Sequence, residues 1–71
     1  MNTPLTRSNI REATLAARQR LGDESICVAV RRGKLDIVRV TYDAHGRSTV
    51  NVLERGLTSA QCIVSLDRIQ P

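Results

Sequence analysis

The sequence predicts an α+β fold: an N-terminal helix packed on a four-stranded, strongly twisted antiparallel meander that stays open or curls into a partly open barrel. Three observations carry this reading. Apolar residues recur at helical spacing over the first third of the chain, a two-residue alternation replaces it from Ser25, and single glycines at 22, 33, 46 and 56 punctuate the chain. All 71 residues make one domain, with residues 1–7 expected to form a flexible lead-in. A chain this short buries only about 60% of the surface its unfolded form exposes, which leaves a margin of about 3–5 kcal/mol.

The helix is expected from Ser8, a suitable N-cap, to Leu21, with Gly22 leaving it in a left-handed conformation. At about 100° per residue, Ile10, Ala13, Thr14, Ala17 and Leu21 share one side, and Arg7, Arg11 and Arg18 form a row beside them. The alanines suit close approach to a sheet.

Ile26, Val28 and Val30 then alternate with Cys27, Ala29 and Arg31 in a first strand. Arg32-Gly33-Lys34 supplies the glycine of a tight hairpin, and Leu35 to Tyr42 forms the second strand. Its Val38, Val40 and Tyr42 are expected to face the core. Asp43-Ala44-His45-Gly46 reads as a type I turn with a glycine bulge, leading into a third strand from Arg47 to Glu54 whose Val50 and Val52 also face inward. For Ala60 to Leu66, β-branching favours a fourth strand; the spacing of Cys62, Leu66 and Ile69 favours a helix started by Thr58 or Ser59. The strand is preferred here, and a single 3₁₀ turn followed by a strand to Ile69 would satisfy both signals. The closing Val64-Ser65-Leu66-Asp67-Arg68-Ile69 resembles the final strand of small SH3-like barrels, over too few residues to carry any activity.

Chemistry is sparse. His45, the single histidine, falls on a turn tip with no evident nucleophile beside it, and Asp36, Asp43, Glu54 and Asp67 are scattered over strand ends and turns. No phosphate-loop, dinucleotide or zinc pattern occurs, so the chain is read as no enzyme, with no cofactor and no metal. Cys27 and Cys62 each sit in an apolar run and are expected as reduced, buried thiols. With no secretory leader and no membrane-length apolar stretch, a cytoplasmic location is expected.

Charge gives the functional expectation. The net charge is +4, and eight of the eleven cations fall within residues 1–42 against four of the seven acids. Arg31, Arg32 and Lys34 crowd one hairpin tip, where a basic ribbon end can straddle phosphates, and Arg7, Arg11 and Arg18 add a helical row. The leading expectation is a binding module for duplex nucleic acid. With Tyr42 as the sole aromatic residue, a base-stacking platform for single strands is not expected. The alternative is a protein-binding adaptor or inhibitor, such as a phage, plasmid or gene-cassette accessory acting on a host nuclease or defence complex, using those arginines or the surplus Leu5, Leu15, Leu53 and Leu57. A homodimer is expected under either reading.

Overall fold

The computed structural model describes residues 7–70, with side chains from Ile10 onward. Its elements run α1 (Arg7–Leu21), β1 (Ile26–Arg31), β2 (Lys34–Tyr42), β3 (Ser48–Leu57) and α2 (Ser59–Arg68). The class is α+β, as the periodicities require. Among the described residues the sheet has three strands in the order β1-β2-β3, is antiparallel throughout and is open, so neither a fourth strand nor barrel closure occurs.

The segment expected as the last strand is α2. Thr58 caps it: the Thr58 hydroxyl accepts from the Gln61 N–H at 3.2 Å, and the Gln61 side chain accepts from the Thr58 N–H at 3.0 Å. This reciprocal box satisfies two donors that a helix start leaves orphaned. Helical spacing then puts Cys62, Leu66 and Ile69 on one side, and burial of that side outweighs the strand preference of Ile63 and Val64. At the other end, Arg20 of α1 donates to the carbonyls of Leu66 at 2.7 Å and Ile69 at 2.9 Å, placing a cation at the negative end of α2.

Both helices pack on one side of the sheet. The buried cluster is Ala17, Ile26, Ile37, Cys62 and Leu66, ringed by Ile10, Ala13, Leu21, Val28, Leu35, Leu57 and Ile69. The expected α1 stripe is this inner face, with Ala17 2% exposed and the Thr14 hydroxyl satisfied by donating to the Ile10 carbonyl at 2.8 Å. Directly paired residues share a face, so Ile37, opposite Val28, belongs to the core face of β2. Val38, Val40 and Tyr42 lie on the other side, where register sets Val52 and Val50 beside Val38 and Val40. The inward expectation for Tyr42, Val50 and Val52 is therefore corrected: they are 72%, 55% and 39% exposed, while Val38 is buried mid-sheet. Beyond Val40, β2 has only β3 beside it, and the two run on as a ribbon exposed on both faces.

The turns follow the local chemistry. Arg32 (φ 52°) and Gly33 (φ 76°) both lie in the left-handed region, the signature of a two-residue type I′ hairpin. Asp43 organises the second turn by accepting from the backbone N–H of His45 at 2.8 Å and of Arg47 at 2.9 Å. In β3 the register shifts twice between Leu57 and Val52, with Gly56 left-handed at φ 67°. The Gly56 N–H donates to Asp36 at 3.0 Å, so a buried carboxylate of β2 holds the bulge.

Candidate binding surface

The six cations singled out by sequence separate into different roles. Arg31 and Lys34 close the β1–β2 hairpin with Arg32 between them, so these three share one tip. Arg31 is committed there: its Nε donates to Asp36 at 2.9 Å, and this bond raises the guanidinium pKa further above its ordinary value. The same bond, aided by the Gly56 N–H, holds the Asp36 carboxyl below the usual carboxylate range.

Arg18 reaches across the start of β1, donating through Nε to the Ile26 carbonyl at 2.7 Å and through Nη2 to Cys27 Sγ at 3.6 Å. Arg39 and Arg47, outside the expected set, are likewise tied to Asp23 and Asp43. Arg11, Arg32 and Lys34 are exposed and make no side-chain hydrogen bond or ion pair among the described residues. The side chain of Arg7 lies outside the described residues, although its backbone begins α1.

A feature that composition does not reveal lies between α1 and β1. In an antiparallel pair, backbone groups point alternately toward and away from the partner strand. The Val40 N–H donates to the Ser25 carbonyl at 2.9 Å, which fixes the alternation: Ile26, Val28 and Val30 direct their N–H and C=O groups away from β2, toward the free edge. Arg18 occupies the Ile26 carbonyl. Val28 and Val30 leave an open row of donors and acceptors among the described residues.

That edge borders a groove of about 810 Å³ whose apolar lining comes from Ile10 and Leu15 on α1 and Val28, Val30 and Leu35 on the sheet. Leu15 is 46% and Val30 74% exposed, and Arg11 and Arg18 stand on the rim. α1 runs antiparallel to β1 because only Gly22 to Ser25 connects them, which brings Arg11 toward the hairpin-tip end. The groove thus combines an apolar floor, an unpaired strand edge and a cationic border. The exposed Leu15 was visible in the sequence as a residue off the core stripe; the free edge was not, because strand order is not encoded in alternation.

Among the described residues no three of His, Cys, Asp and Glu gather to hold a metal ion, and no helix is long and apolar enough to cross a membrane. Cys27 is half-buried and Cys62 fully buried, both as free thiols; burial, with Glu54 nearby, pushes the Cys62 thiol pKa up. His45 sits exposed on its turn. No protein-family model matches the chain, and no curated protein or solved structure is significantly similar to it.

Proposed function

We propose that this chain is a non-enzymatic protein-binding module that takes an extended segment of a partner as an added strand along β1. The observation that carries the reading is the outward-facing backbone of Val28 and Val30 beside the groove under α1. Strand addition draws affinity from main-chain hydrogen bonds and specificity from pockets that receive alternate side chains. The matching segment alternates apolar residues, which enter against Ile10, Leu15 and Leu35, with acidic residues on its opposite face, the face on which Arg31 and Lys34 of the hairpin tip stand. A contact this short makes a transient rather than an obligate complex. Free Cys27 and Cys62 suit a reducing compartment such as the cytoplasm. The adaptor or inhibitor role of a mobile-element accessory fits the same surface.

The test is a titration of labelled protein with eight-residue peptides alternating Val with Glu or Val with Lys. The Glu series should shift amides of Val28, Val30 and the 10–18 face of α1, and the Lys series should not. Val30→Pro removes one outward donor while leaving the β1–β2 ladder intact, since the Val30 N–H does not face β2. Equal binding of the Glu peptides by Val30→Pro would exclude strand addition.

A second reading, contact with duplex nucleic acid, is supported by the exposure of Arg11, Arg32 and Lys34. Three phosphate contacts give a loss of affinity of about 40-fold between about 50 and 200 mM salt; six would give more than about 1,000-fold. A salt-titrated DNA retention assay on Arg32→Glu/Lys34→Glu tests it, and retention unchanged by the double substitution removes the hairpin tip from any such site.

A further inference from the structure

We propose that the groove along β1 receives a free carboxyl terminus: the added strand runs antiparallel to β1, ends beside Ile26, and has its terminal carboxylate held by Arg18. The inference rests on strand addition at this edge and names the kind of segment that adds.

Arg18 changes the chemistry of the edge at one point. Along Val28 and Val30 the free edge offers N–H and C=O groups in turn, which an incoming backbone matches with its own. One step further, the Ile26 carbonyl would accept the next N–H of that backbone, but Arg18 Nε already donates to it at 2.7 Å. An incoming chain therefore meets a guanidinium there, which only donates, and another backbone N–H has nothing to bond. A chain that ends at the residue opposite Cys27 has a carboxylate oxygen in place of that N–H. An acceptor then faces donors.

Charge points to the same occupant. Among the described side chains, Arg18 and Arg39 are the cations drawn part-way out of water, and Arg39 is paired with Asp23 at 2.9 Å. Arg18 meets no carboxylate: besides the Ile26 carbonyl it has only the contact of Nη2 with Cys27 Sγ at 3.6 Å. Nη1 and the second N–H of Nη2 have no partner among the described residues, and together they form the fork that grips a carboxylate through paired hydrogen bonds. Asp23 and Glu24 line a neighbouring cleft that Arg18 also borders, yet Asp23 is neutralised by Arg39 and Glu24 is exposed to water, so Arg18 keeps its charge for the ligand. Direction follows from the same charge. An antiparallel strand brings its carboxyl end to Ile26, whereas a parallel one would set an amino-terminal ammonium against a guanidinium.

Register specifies the terminal segment: residues opposite Val30 and Val28 are apolar and enter the groove, and the last residue lies beside Cys27 on the other face. The probe is the acetylated peptide Glu-Val-Glu-Val-Glu-Val-Ala, titrated into isotope-labelled protein as the free acid, as the C-terminal amide, and as the free acid lengthened by two glycines. The free acid should bind about tenfold tighter than the amide form, and the lengthened acid, equal to the first in charge, no tighter than the amide form. Arg18→Gln should erase the difference between acid and amide forms while both still shift the backbone signals of Val28 and Val30. Acid and amide forms of equal affinity, both shifting Val28 and Val30, overturn carboxylate capture and leave strand addition standing; absence of binding by either removes both. A preference for the acid that persists in Arg18→Gln, or that the lengthened peptide shares, is general attraction to a chain of net charge +4 and equally overturns the proposal. The three-peptide comparison uses the unaltered protein, so it decides the matter even where Arg18→Gln does not fold.

Discussion

Replacing Leu66 and Val64 separately by alanine discriminates the helical α2 from the strand that β-branching suggests. In a helix, Leu66 points into the core and Val64 does not: they are 0% and 47% exposed. In a strand, period two would put Cys62, Val64 and Leu66 on one face. Leu66→Ala removes a fully buried side chain and should cost about 3 kcal/mol, within the 2–5 kcal/mol range of such changes. Against a margin of about 3–5 kcal/mol, that lowers Tm by roughly 12–24 °C or leaves the protein partly unfolded at 25 °C. Val64→Ala should be neutral or stabilising by a few tenths of a kcal/mol, because alanine is the better helix former. A strand-buried Val64 would instead lose two methyl groups at about 0.8 kcal/mol each, plus a cavity. Urea unfolding followed by far-ultraviolet circular dichroism separates the cases. A cost above about 1 kcal/mol for Val64→Ala, or below that for Leu66→Ala, refutes the helix and the core built on it.

Three further outcomes are expected. Arg32→Asn should stabilise by about 0.5–1 kcal/mol, read from the urea midpoint, because asparagine tolerates the left-handed conformation that Arg32 adopts at φ 52°. Asp36 is held low by Arg31 and the Gly56 N–H, and Asp23 by the Ser25 hydroxyl and N–H with Arg39. Since their folded pKa values lie below the unfolded ones, the stability they contribute is complete above about pH 4 and is lost as pH falls through the folded values; Asp36→Asn should flatten the urea-midpoint profile there. A thiol reagent at pH 8 should modify Cys27 rapidly and Cys62 only as the protein unfolds, because Cys62 is buried with its pKa raised; equal rates under native conditions would contradict its burial.

The features legible in the sequence were local. The α1 stripe, the β1–β2 hairpin and the Asp43–Gly46 turn rest on neighbours a few residues apart, and the structure has all three. α1 starts at Arg7, so Ser8, read as its cap, lies one residue inside. α2 was misread because Ile63 and Val64 favour strands on their own, whereas the deciding terms were the Thr58–Gln61 box and the burial of Cys62 and Leu66. β2 is apolar on both faces, and the choice of inner face turned on Arg39, which looked solvent-bound but is anchored to Asp23 beside the core. Coverage was equally hidden. Val50 and Val52 stay in water because register sets them on the face of the sheet that neither helix covers, beside Val40 and Val38. For the surface, charge counting located the basic hairpin tip, yet gave no sign that Arg18 and Arg31 were already bonded within the fold.

The clasp that Arg20 makes on α2 joins residues 46 and 49 positions apart, and α2 supplies two of the five members of the buried cluster. During synthesis, Ile26 and Ile37 therefore have only the cover that α1 gives through Ala17 until Leu66 has cleared the ribosome, however early the first hairpin forms. Contacts of that sequence separation carry a large loop-closure cost, so docking of the second helix is expected to follow the local hairpins, and a chaperone that shields an unfinished sheet would act in that interval.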